Sequence, residues 1–218
     1  MPRGGFRPGA GRNKTGKRVG GPHRERPFLD ARHPVHIVLR SKRRGSWRQR
    51  RTYSVLRQVL CRFLGNADFR VTHISIQRSH IHLLVEAASR EALSAGMKSF
   101  CTRAARALNR AYHRRGKVFA YRYFASQIRT SWYARHALAY VLNNWRRHRE
   151  DTGYRVRAAM LDPYSSAVSF DGWTKRFTIP AGYEPLPVSP PKTGLLRSSW
   201  TWYGQIDPWE RPGPLAQA

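Results

Sequence analysis

Acidic side chains are scarce in this sequence. Twelve Asp and Glu stand against 41 Lys and Arg, giving a formal net charge of +29 and a pI near 11.6. Such a field attracts polyanions and leaves nucleic acid as the leading partner. Cysteine is nearly absent: Cys61 and Cys101 are the only two. This excludes a disulfide framework and a zinc cluster, and leaves two small core residues. No apolar run is long enough to cross a bilayer, so no membrane partner is expected. The start, Met1-Pro2-Arg3-Gly4-Gly5, lacks the apolar core of a secretory signal. A cytoplasmic, nucleoid-associated protein is therefore expected. No glycine-rich phosphate loop follows a strand, and there is neither a serine elbow nor a Cys-x-x-Cys.

What is present is unevenly placed along the 218 residues. Residues 1–27 hold eight basic residues and Glu25, with no apolar period. They read as a disordered basic arm that grips phosphates without reading sequence, with Arg7 and Arg12 among its contacts. Residues 28–162 hold 28 basic and 7 acidic residues, together with all the clear periodicity. Residues 163–218 hold five basic and four acidic residues and a run of prolines from Pro180 to Pro191. This last part reads as a loosely packed tail. Its tryptophans, Trp173, Trp200, Trp202 and Trp209, dock on the core or stack on bases.

The periodicity of the central part gives the order β-α-β-β-α-β-α. His33 to Arg40 reads as a strand, and Arg48 to Leu64 as a helix stopped by Gly65-Asn66. Arg70 to Gln77 and Ile81 to Glu86 read as a hairpin turning at Arg78-Ser79. Ser89 caps a helix to about Arg115. That helix has an apolar face from Leu93 to Tyr112. Its basic face carries Lys98, Arg103, Arg106, Arg110 and Arg114, the expected DNA contacts. Val118 to Ile128 reads as a strand, and Thr130 or Ser131 caps a last helix to about Arg149. Two split βαβ units over one antiparallel sheet give an α+β, ferredoxin-like fold. Its helices lie on one face, and the tyrosine-bearing C-terminal helix is an addition.

Two constellations could carry chemistry. In His80-Ile81-His82, alternate strand residues point the same way, so both imidazoles lie side by side. That suits two ligands on one metal ion. The plainer reading is two histidines on a wet sheet face, and the buried run Leu83-Leu84-Val85 behind them argues against it. Glu86 shares their face further along. The second constellation is Tyr140-Val141-Leu142-Asn143-Asn144. On a helix Tyr140 and Asn144 form one polar stripe, while Ala134, Leu138, Val141 and Trp145 form the packing stripe. A tyrosine attacking phosphorus conserves the energy of the broken backbone bond. On helix periodicity alone the favoured reading is a core tyrosine beside an exposed asparagine. Tyr123 and Gln127 share the same spacing, but on a strand they stand roughly 13 Å apart and cannot share an ion. Of the scattered histidines, His73 is the best candidate for supporting the pair from behind. His36 reads as a core group or a phosphate contact.

Taken together these residues resemble the REP-associated tyrosine transposases, single-tyrosine members of the HUH superfamily. The resemblance covers about residues 1–175. It rests on Arg7-Pro8-Gly9-Ala10-Gly11-Arg12, the strand His33 to Arg40, Ser79-His80-Ile81-His82-Leu83-Leu84-Val85, Tyr140 to Asn144, Asp162 to Ala167, and Phe170-Asp171-Gly172-Trp173. Two positions depart from the family pattern: Ser79 stands where Asn is usual, and Trp145 where Pro is frequent. The resemblance implies His80, His82 and Asn144 as ligands of Mg²⁺ or Mn²⁺, with Tyr140 as nucleophile. It also implies action on single-stranded DNA near hairpins, leaving a 5′-phosphotyrosine and a free 3′-hydroxyl. The sequence leaves open a monomer or a homodimer. A retired transposase that only binds hairpins, or a structural RNA-binding protein, would share the charge.

Overall fold

The structure is a computed structural model and describes residues 28–42, 45–151 and 160–215. Four strands form one antiparallel sheet: β1 (Val35–Arg40), β2 (Phe69–Ile76), β3 (His80–Ala87) and β4 (Phe124–Gln127), in the order β2-β3-β1-β4. Helices α1 (Arg50–Cys61) and α2 (Arg90–Ala111) connect them, and α3 (Ser131–Arg147) follows β4. This is the expected α+β, ferredoxin-like arrangement.

The two faces of the sheet differ. Val35, Ile37 and Leu39 of β1 and Ile81, Leu83 and Val85 of β3 point to α1 and α2, in one apolar core with Leu56, Leu60, Met97 and Phe100. The odd-even alternation puts His36, Val38, His80, His82 and Leu84 on the opposite face, under α3. Strand β2 needs a correction to join this pattern. A bulge at Thr72 breaks the register between Val71 and His73, and Thr72 Oγ1 donates to the Leu84 carbonyl at 3.0 Å. The extra residue keeps Phe69, Val71, Ile74 and Ile76 all toward α1 and α2, and turns His73 and Ser75 toward α3. Gly96 lets α2 approach this layer, since a Cβ there would overlap the Phe69 ring.

Strand β4 is shorter than the sequence implies. Val38 pairs with Phe124, while the Arg40 carbonyl accepts from Ala120 N at 2.9 Å and Ser41 bridges Phe119. Leu39 alone therefore spans the stretch from which residues 121–123 loop out. The β2 edge is covered by the later chain: Ile76 N donates to Tyr164 O, Ser166 N to Ile74 O, and Ser189 N to Val71 O. Residues 160–215 are not loose. Ala167, Trp173, Leu196, Trp200 and Ile206 form a second core with Leu138, Val141 and Leu142 of α3. Trp173 and Trp200 are buried, whereas Trp202 and Trp209 are exposed. Glu86 fixes this segment by accepting from Lys192 N, Thr193 N and Thr193 Oγ1 while pairing with Arg70. It is thus an anchor for the tail and does not reach the histidine pair. Cys61 is exposed, not a core residue, and neither cysteine is in a disulfide. Among the described residues no helix is long and apolar enough to cross a membrane.

Candidate active site

Helix α3 begins at Thr130, whose hydroxyl accepts from Tyr133 N at 3.1 Å. Ala134, Leu138, Val141 and Trp145 are fully buried, as their stripe implies. The outer side of the helix is held by the later chain. Asn143 Nδ2 donates to Asp207 O, Arg146 Nε to Pro208 O, and Arg135 pairs with Glu210 at 2.6 Å. The helix is therefore clamped between sheet and tail, with one stripe facing the histidines.

Along that stripe the contacts follow in order. The Tyr140 ring meets His82 edge-on at 5.2 Å between centroids, and meets His36 at 5.9 Å. Two turns further on, His148 meets His80 edge-on at 5.5 Å. Asn144 lies midway between Tyr140 and His148 on the same helix face. It is fully buried, and neither of its amide atoms has a hydrogen-bond partner. A buried unpaired amide costs about 1–3 kcal/mol.

The start of β3 is equally constrained. Trp47 N donates to Arg78 O at 2.8 Å, and Arg78 N donates to Glu150 Oε1. Arg48, buried between Glu150 and Asp162, locks this corner with a bidentate pair to Asp162 at 2.7 and 3.0 Å. From there His80 and His82 project together, and their Nε2 atoms stand 2.8 Å apart. Two donors at right angles, each about 2.1 Å from one ion, would stand about 3 Å apart. The pair has the separation of two ligands on one centre. Burial pushes His80 down to about 4, with His148 and Arg40 adding to it, and burial pushes His82 well below its ordinary value. Both rings are neutral at neutral pH, as ligands must be.

Among the described residues no three His, Cys, Asp or Glu side chains are arranged to hold a metal ion. A third donor to an ion held by the pair would need another chemistry, and an amide oxygen such as that of Asn144 has one. The donor set of two neutral imidazoles, an amide oxygen and open positions for phosphate oxygens fits a divalent cation.

The site opens into a cleft of about 730 Å³ lined by His36, Arg40, His80, His82, Tyr140 and His148, with Phe124, Ser126 and Tyr133 on its β4 side. Among the described residues no acidic one lines it. Phe124 stands half out of the protein, with Val38 between it and His82 in one row across the sheet.

Several expected residues fall elsewhere. His73 is buried against Phe170, with Nδ1 at 3.4 Å from Ser166 Oγ, and supports the tail. Its place beside the pair belongs to His36, whose Nε2 is 3.0 Å from His82 Nδ1. Sequence reasoning missed His36 because only the register, Val38 opposite His82, makes the two diagonal neighbours. Gln127 donates to Phe28 O and accepts from Asp30 N, so it ties down the chain before β1. Arg103, Arg106 and Arg110 lie exposed on α2, and Arg114 just beyond it, on the sheet face away from the cleft. Arg7 and Arg12 lie outside the described residues.

A ferredoxin-like sheet carrying paired histidines, crossed by a tyrosine helix, defines an α+β fold of transposase type. The sequence agrees: residues 31–144 match the family described as "Transposase IS200 like", and the chain belongs to that family. Among solved structures it is similar to that of a REP-associated tyrosine transposase bound to a REP hairpin. The two are 14% identical, with a TM-score of 0.52 over 67% of this chain and 82% of the other. That likeness is one of fold. No curated protein matches the chain.

Proposed function

We propose that this protein is a metal-dependent enzyme that nicks and transfers single-stranded DNA at hairpin-containing sites through Tyr140. The observation that carries this reading is the contact of Tyr140 with His82 and of His148 with His80 along one helix stripe, on which the unpaired Asn144 amide lies between them. In the reaction the Tyr140 hydroxyl loses its proton and its oxygen bonds to the scissile phosphorus. The P–O3′ bond breaks, and the departing 3′ oxygen takes up a proton. A 5′-phosphotyrosine and a free 3′-hydroxyl result, and reversal of the same step with another 3′ end transfers the strand.

His80, His82 and Asn144 would hold Mg²⁺ or Mn²⁺. Such an ion supplies Lewis-acid polarisation of the scissile phosphate. The chain's own groups do the rest. Among the described residues the cleft lining holds no carboxylate to repel the phosphate. The Arg147 guanidinium lies 5.9 Å from the Tyr140 ring centre and favours a phosphate held nearby. Half-exposed Phe124 offers a face for an unpaired base, a contact typically worth about 1–3 kcal/mol. The arginines of α2 grip backbone on the far side of the sheet. The bound hairpin of the structural neighbour fits this substrate class.

The test is a strand with a hairpin, labelled on its 3′ side and incubated with the protein and Mn²⁺. Wild type and Tyr123→Phe should both form a covalent adduct, and Tyr140→Phe should form none. An adduct that persists in Tyr140→Phe sinks the reading. Hairpin binding that ignores chelator, with no adduct from wild type, would favour a protein that only binds.

A further inference from the structure

We propose that His36 is a positioning residue that sets the tautomer and aim of His82. This inference rests on the reading of His80 and His82 as metal ligands.

His36 is buried on β1, and its ring lies nearly parallel to that of His82 and meets it edge to edge, with 5.1 Å between centroids and an 18° tilt. Its Nε2 lies 3.0 Å from His82 Nδ1. A neutral imidazole has one donor and one acceptor nitrogen. For His82 Nε2 to offer a lone pair to an ion, the proton of that ring must sit on Nδ1. There it needs an acceptor, and His36 Nε2 is the atom within reach. His36 then carries its own proton on Nδ1. Metal-bound histidines generally have their other nitrogen fixed in this way, most often by a carboxylate or a backbone carbonyl.

Here the partner is another imidazole, and the cleft explains the choice. Among the described residues none of its lining is acidic. A carboxylate at position 36 would add a negative charge beside the site that must receive a phosphodiester. An imidazole fixes the ring and adds no charge. The two ligands are therefore unequal. His82 is set beforehand by a buried neighbour, while His80 Nδ1 meets the exposed Ser79 hydroxyl at 3.2 Å. A hydroxyl can donate or accept, so Ser79 serves either tautomer of His80. With His82 in the Nδ1–H tautomer, the 2.8 Å contact makes His80 Nε2–H the donor to His82 Nε2; for His80 Nε2 to hold an ion, that proton would sit instead on His80 Nδ1, where the Ser79 hydroxyl can accept it.

The experiment uses the full chain without DNA. Mn²⁺ affinity is titrated by calorimetry for wild type, His36→Phe and His36→Gln, and ring tautomers are read by ¹⁵N NMR of the metal-free protein. His36→Phe keeps the ring but removes the acceptor, and should weaken Mn²⁺ binding by about 10- to 100-fold. His36→Gln restores an acceptor and should recover most of the affinity. In wild type, His82 should be the Nδ1–H tautomer. An unchanged Mn²⁺ Kd in folded His36→Phe overturns the inference. So does an Nε2–H tautomer of His82 in wild type, a readout that stands even if the variant does not fold. Wild type that binds no Mn²⁺ at all overturns the metal-site reading itself, which separates the two failures.

Discussion

The two faces of one sheet show what each kind of side chain is for. Toward α1 and α2, β1 and β3 present Val35, Ile37, Leu39, Ile81, Leu83 and Val85, all essentially unexposed. Toward α3 the same strands present His36, His80, His82 and Glu86, and α3 answers with Asn144. Both faces are covered, so burial does not separate them. Chemistry does. The first face gains its stability by removing apolar area from water. The second buries groups that cost free energy unless paired, and it leaves both atoms of Asn144 unpaired. A buried arrangement that stability alone does not favour is a mark of function.

The largest expected effect sets neighbours in sequence against each other across the sheet. Leu83→Ala, on the apolar face, should cost about 2–5 kcal/mol in a denaturant titration. His82→Gln, one residue away, should cost no more than about 1.5 kcal/mol, yet abolish adduct formation. Equal destabilisation by both would erase the distinction between the faces.

The next effect is on pH. His36, His73 and His80 are held near 4 by burial, below the ordinary 6.5. The unfolded chain therefore takes up protons first as pH falls. Stability from these neutral rings is complete above about 6.5 and is lost as pH drops through 4, by up to about 1.4 kcal/mol per ring per pH unit. Melting of the metal-free protein between pH 7 and 4 reads this directly. A flat Tm would show that the polar face is not buried in solution.

A third effect has the opposite sign. Asn144→Leu removes the unpaired amide with the same branching. Relief of about 1 kcal/mol should raise the Tm of the metal-free protein by about 2–4 °C, while Mn²⁺ binding is lost. A lower Tm would mean that Asn144 has a structural partner. The smallest effect lies on the far side. Replacing Arg103, Arg106 and Arg110 together by Ala should reduce the salt slope of single-strand binding by about 2. Adduct yield at saturating DNA should not change, because these side chains do not reach the cleft.

Much of this was legible in the sequence, and the limits are physical. Period 3.6 and the caps Ser89 and Thr130 mark α2 and α3 to within a few residues, because one buried stripe dictates each helix. The placing of His80 with His82, and of Tyr140 with Asn144, follows from strand and helix geometry within a few residues. What was not legible depends on partners far away in sequence. The role of His36 needs the β1–β3 register. The bulge at Thr72 is visible only as a change of parity between Val71 and Ile74. The loop at residues 121–123 alternates like a strand, and only the pairing of Arg40 with Ala120 shows that it leaves the ladder. The proline-rich tail has no period of its own. It packs because Glu86, Arg135 and Arg146 hold its backbone and side chains.

The most direct test of the central claim is an anomalous-scattering map from crystals of the protein soaked in Mn²⁺. A peak should stand about 2.1–2.3 Å from His80 Nε2, His82 Nε2 and the Asn144 amide oxygen together. A peak away from these three atoms, or none at saturating Mn²⁺ with the cleft open to solvent, would contradict it.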